Sequence, residues 1–133
     1  MAQASTGVSD VVMSRAELGQ TELPVYAGIP LDRISLVISE SLAEEALAAL
    51  IAADAIGFDT ESKPTFLKGE VSTGPHLVQL ATDSKAYLFP VAPRYDTRAL
   101  KAVLESPKVL KIGFGLGNDH SVLKSRLDIA ASN

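Results

Sequence analysis

Apolar and polar residues alternate differently in successive stretches of the chain, and the changes of period mark its elements. Residues 1–33 carry no consistent period; they are small and polar, are punctuated by Pro24 and Pro30, and read as a loosely ordered N-terminal arm. From residue 34 the pattern sharpens, and 34–133 reads as one domain. Ile34 to Ile38 forms a short apolar run, a strand. Ser41 and Glu44 then have the spacing of a capping box, in which each end of the first turn satisfies the other. Ala43, Ala46, Leu47, Leu50 and Ile51 follow on one helical face, and this helix is expected to end near Asp54. Ala55 to Glu61 is the next strand. Pro64 and the stretch from Gly69 to Pro75 mark a loop. His76 to Thr82 alternates as a strand, Asp83-Ser84-Lys85 is a tight turn, and Ala86 to Phe89 is the antiparallel partner. A short helix carries Leu100, Val103 and Leu104. Val109 to Phe114 is a further strand, and a glycine-rich turn leads into a helix bearing Val122, Leu123 and Leu127.

A strand, a helix, a group of strands and then alternating helices and strands describe an α/β domain with a mixed sheet. Composition narrows the class. The chain has 133 residues, is 47% hydrophobic and 21% charged, and contains no cysteine. This excludes a disulfide scaffold, a zinc knuckle, a thiol nucleophile and a disordered acidic tail. The longest apolar run, Ala46 to Ala53, is too short to cross a membrane, and no signal-peptide pattern opens the chain. A cytoplasmic protein is expected. The net charge of −4 advertises no basic surface, although carboxylates that hold metal ions also make a chain acidic.

Candidate chemistry begins at Asp59-Thr60-Glu61. Side chains alternate along a strand, so Asp59 and Glu61 point the same way while Ile56, Phe58 and Thr60 take the other face. Two adjacent carboxylates repel, and a divalent cation relieves that cost; oxygen donors of this kind suit Mg²⁺ or Mn²⁺. Asp-x-Glu at a strand end is also a common solvated turn. A third acid adds weight to the functional reading. Asp119 sits in the first turn of the last helix and heads the stripe of Val122, Leu123 and Leu127, so it is expected to face the sheet. A plain helix-capping role accounts for its residue type but not for that alignment.

The order of these strings resembles a known family. Ile56-Gly57-Phe58-Asp59-Thr60-Glu61 is followed by Val78-Gln79-Leu80-Ala81-Thr82 and Ala86-Tyr87-Leu88-Phe89. Later come Lys111 to Asp119, Val122-Leu123 and Leu127-Asp128-Ile129. This resembles the 3′–5′ exonucleases of the ribonuclease D and Werner-type superfamily. The resemblance implies a ribonuclease H-like mixed sheet flanked by helices, here incomplete at the C-terminus, and two-metal hydrolysis of phosphodiesters from the 3′ end of single-stranded DNA or RNA. It also implies that Asp59 bridges two metal ions, that Glu61 binds the ion that activates water, and that Asp119 binds the second directly or through water. Thr60 and Phe66 become candidates to hold the terminal nucleotide, Phe66 against a base or sugar. A loop aromatic folded back onto the core is the plain alternative for Phe66.

The family's third motif, a Tyr or His followed by a fourth Asp, has no counterpart in these residues, and Asp128 lies too near Asp119 to serve. The chain by itself is therefore expected to be inactive or impaired. A non-catalytic nucleic-acid-binding or protein-interaction module on the same fold is the alternative. The glycines at 113, 115 and 117 lack dinucleotide-binding spacing and more plausibly let the backbone pass close to the site. His120 is expected at the surface, and His76 shows no partner. Lys63, Lys68, Lys111 and Lys124 flank the acids and are candidate phosphate contacts, against the ordinary reading of solvated lysines. A sheet stopped part-way leaves an exposed edge and uncovered apolar surface, from which self-association or a covering partner is expected.

Overall fold

The computed structural model describes residues 12–132. Five strands form one mixed sheet in the order β1-β4-β3-β2-β5. These are β1 (Ile34–Leu36), β2 (Ala55–Glu61), β3 (Leu77–Ala81), β4 (Ala86–Pro90) and β5 (Leu110–Ile112). The helices are α1 (Arg15–Gly19), α2 (Glu40–Ile51), α3 (Arg98–Leu104) and α4 (Gly117–Leu127). The strands β2, β3 and β4 run as an antiparallel meander. The sheet edges are parallel, β1 on β4 and β5 on β2, as the intervening helices require. No helix among the described residues is long and apolar enough to cross a membrane.

Alternation decides which face is covered. Ile56, Phe58, Val78, Leu80, Tyr87 and Phe89 are buried on one face, in a single cluster with Ala46 and Leu50 of α2, Leu100, Val103 and Leu104 of α3, and Leu123 of α4. The opposite face keeps large apolar side chains in solvent: Ile34, Leu36, Leu110 and Ile112 are each exposed, and Phe114 just beyond β5 is fully so. The register sets Ala86, Ala81 and Gly57 side by side across the middle of that open face, with Ile34 and Ile112 at its two ends. Small residues flanked by large ones leave a depression of about 460 Å³, lined by Gly57, Asp59, Gln79, Ala81, Ala86, Leu88, Ile112 and Phe114.

The elements fall where the periodicity puts them, with local differences. The helix cap is Ser39, whose hydroxyl accepts the Leu42 N–H at 3.3 Å, and not the Ser41–Glu44 box. A capping box does form between Ser14 and Glu17, making α1 inside the arm that the sequence leaves without structure. The arm's remaining calls at residues 1–11 lie outside the described residues. The first, third and last strands are each a residue or more shorter at their ends than the apolar runs suggest. Helix α2 likewise ends at Ile51, short of Asp54.

Lys111 corrects another expectation. It is not a phosphate contact but a buried side chain whose ammonium donates to the Ser106 and Ser132 carbonyls at 2.5 and 2.7 Å. It thereby helps hold residues 128–132 along the end of α3, where Ala130 N–H also donates to Glu105 at 3.0 Å. Lys124 is likewise occupied, paired with Asp128 at 2.5 Å.

Candidate active site

The site lies where β2 leaves the sheet beside the first turn of α4. Strand β2 alternates exposed and buried positions from Ala55, so Asp59 and Glu61 stand on the open face and Phe58 and Thr60 turn toward the helices. Gly113 brings the two neighbouring strands together. A Cβ there would lie 2.4 Å from the Phe58 carbonyl oxygen, so only glycine lets β5 pass this close to β2 just before Asp59. Gly115, at φ +60°, then turns the chain into α4.

Thr60 is the connection between the acids. Its backbone N–H donates to Asp59 Oδ1 at 3.0 Å, and its hydroxyl donates to Asp119 Oδ1. Asp119 is half-buried and does face the sheet. Glu61 is exposed one residue beyond Thr60. The three carboxylates are not drawn into one cluster: among the described residues no group of three His, Asp or Glu side chains is close enough to hold a metal ion. What the strand does present is a pair of hard oxygen donors on one face, with a third carboxylate tied to the residue between them.

The loop that follows β2 is exposed from Glu61 to Thr73 and is pinned at several points. Lys63 N–H donates to His76 Nδ1 at 3.0 Å, and Thr73 Oγ1 lies 3.2 Å from His76 Nε2, so His76 does have partners. Arg126 of α4 donates to the Ser72 carbonyl at 2.6 Å. Glu70 accepts the N–H groups of Phe66 and Leu67 at 2.9 and 3.0 Å, and these bonds hold its carboxyl below the usual range. Phe66 itself is 85% exposed; it does not fold back onto the core.

His120 departs from its expected surface position. Its ring stacks on Phe58 with centroids 6.1 Å apart, and its Nε2 is buried with no hydrogen-bond partner among the described residues. Phe114 was not singled out by sequence. An apolar residue at the end of a strand gives no sign of standing fully in solvent beside Asp59.

Residues 34–133 match the family model described as 3′–5′ exonuclease. The chain belongs to the 3′–5′ exonuclease family. Its structure is similar to the Nibbler EXO domain of Aedes aegypti, with a TM-score of 0.66 and 26% identity over 79% of this chain and 49% of that one. It is also similar to the Trypanosoma brucei RNase D complex with RNA U12, with a TM-score of 0.65 and 22% identity over 74% of this chain and 35% of that one. Escherichia coli RNase D, an exoribonuclease involved in structured RNA processing, gives a TM-score of 0.60 and 21% identity over 74% of this chain and 25% of that one. The exonuclease-family chain thus spans half the length or less of these structures. No curated protein matches it by sequence.

Proposed function

We propose that this exonuclease-family chain carries the first two acid motifs of a divalent-metal-dependent 3′–5′ exonuclease. In this reading Asp59 and Glu61 hold Mg²⁺ or Mn²⁺, Asp119 serves the second ion, and the substrate is the 3′ end of single-stranded RNA or DNA. The reading is supported above all by Thr60, which bonds Asp59 and Asp119 at once in a chain of this family. Such an outer hydrogen bond fixes a ligating carboxylate in orientation. A divalent ion held by Asp59 and Glu61 would neutralise the paired carboxylates and supply Lewis-acid polarisation of a phosphodiester. Thr60 positions the acids and stays, with Phe66, a candidate to hold the terminal nucleotide; Phe66, exposed on the pinned loop, offers a face on which a base or sugar packs. In this reading the protein works in the cytosol.

The 133 residues present no third-motif acid, so the chain alone binds metal weakly and releases little or no nucleotide. The test is Mn²⁺ titration by electron paramagnetic resonance, together with 3′-end-labelled oligonucleotides. Asp59→Asn should weaken Mn²⁺ binding by about 10-fold or more. Mn²⁺ binding that ignores Asp59→Asn, Glu61→Gln and Asp119→Asn alike would remove the metal site. Oligonucleotide binding that ignores both metal and these variants would favour the non-catalytic module. Metal-dependent nucleotide release by the wild-type chain would show that its acids suffice unaided.

A further inference from the structure

We propose that Glu70 is a positioning residue for nucleotide binding: its carboxylate fixes the turn at 66–70 so that the Phe66 ring meets a base or sugar while the Lys68 ammonium meets phosphate. The inference rests on the reading of Phe66 given above and adds what holds that residue in place. Every residue from Glu61 to Thr73 is exposed, so packing contributes little to the shape of this loop. Its ends are anchored, by Lys63 N–H on His76 and by Arg126 on the Ser72 carbonyl. Between those anchors, every hydrogen bond among the described residues involves Glu70. Its N–H donates to the Leu67 carbonyl at 3.1 Å and closes a turn. Gly69, at φ +83°, supplies the left-handed third residue of that turn. One carboxylate oxygen, Oε2, then accepts both the Phe66 N–H at 2.9 Å and the Leu67 N–H at 3.0 Å.

Electrostatics alone would not put an acid here. A carboxylate two residues from Lys68 weakens the attraction of the loop for phosphate. What Glu70 supplies is preorganisation: an exposed loop loses freedom on binding, and one already shaped has less to lose. The bonds from Phe66 and Leu67 keep its carboxyl below the usual range, so it remains an acceptor in neutral and mildly acidic solution. Lys68 falls at the corner of the turn, exposed and two residues from Phe66. A nucleotide whose base lies on the ring therefore has a cation close by for its phosphate.

The test uses Phe66→Trp as a reporter, since the chain has no tryptophan of its own. Short single-stranded oligo(A) should quench the indole by stacking on it. In that background Glu70→Ala should weaken binding by about 5-fold or more, although it removes a charge that repels phosphate. Glu70→Gln should recover most of the loss, because its amide oxygen still accepts. Gly69→Ala should weaken binding with no change of charge, through the strain of its φ. Lys68→Ala should lower the slope of log affinity against log salt by about 0.7. Glu44→Ala, which removes an exposed acid from α2, should change nothing. Circular dichroism should be the same throughout, because the loop lies outside the core. Anisotropy of labelled oligo(A) repeats the Glu70→Ala comparison with Phe66 intact. Equal or tighter binding by Glu70→Ala would overturn the proposal, and so would an indole that oligo(A) leaves unquenched. Mn²⁺ binding that still depends on Asp59 in either case would leave the metal site standing, so the two failures are told apart.

Discussion

Thr60 does two jobs with two groups. Its N–H steadies Asp59 and its hydroxyl steadies Asp119, so losing the hydroxyl alone separates the two. Thr60→Val keeps the shape and the strand propensity but leaves the half-buried Asp119 carboxylate short of a donor. The expected loss is about 1 kcal/mol of stability, read by thermal or urea unfolding. Mn²⁺ affinity should fall by about 10-fold, and Thr60→Ser should restore both. Much at this scale was legible. The alternation that separates Asp59 and Glu61 from Thr60 follows from the strand period alone, and the facing of Asp119 follows from its alignment with Leu123. The bond between Thr60 and Asp119 was not legible, because it depends on where α4 docks. His120 failed for the same reason: its helix position points away from the apolar stripe, but the Phe58 ring beneath widens the buried surface to include it.

Elements were legible where an apolar period was backed by packing, and less so where local hydrogen bonds alone decide. Helix α2 starts at Ser39 because that hydroxyl, and not that of Ser41, reaches a free N–H of the first turn. Helix α1 has no buried residue and rests on its capping box, so no hydrophobic period could announce it. The close pass of β5 over β2 depends on one missing side chain. Gly113→Ala would drive a methyl against the Phe58 carbonyl, a backbone atom that cannot swing aside. The cost should be about 1–3 kcal/mol, measured as a lowered midpoint of thermal unfolding. Gly115→Ala reports separately, through the strain of its positive φ.

For the molecule as a whole, acid should loosen the chain first where carboxylates act as caps. Glu105 accepts Ala130 N–H and Glu70 accepts two N–H groups of its loop, and these bonds depress both acids. A depressed carboxyl contributes stability above its unfolded value and loses it as pH falls through the lower, folded value. Thermal midpoints should therefore hold near neutrality and drop below about pH 4. Glu105→Gln should flatten part of that drop, and unchanged acid sensitivity in this variant would discount the cap. At this scale the fold class was legible from the order of elements. The covered and open faces were not, because both carry apolar residues and only the docking of α2, α3 and α4 on one side distinguishes them.

The outermost strands, β1 and β5, are only three residues each. A strand from another molecule laid along either border would gain few main-chain bonds, so stacking without end, the route to fibres, finds no template there. Crowding this protein should accordingly leave it free of filaments.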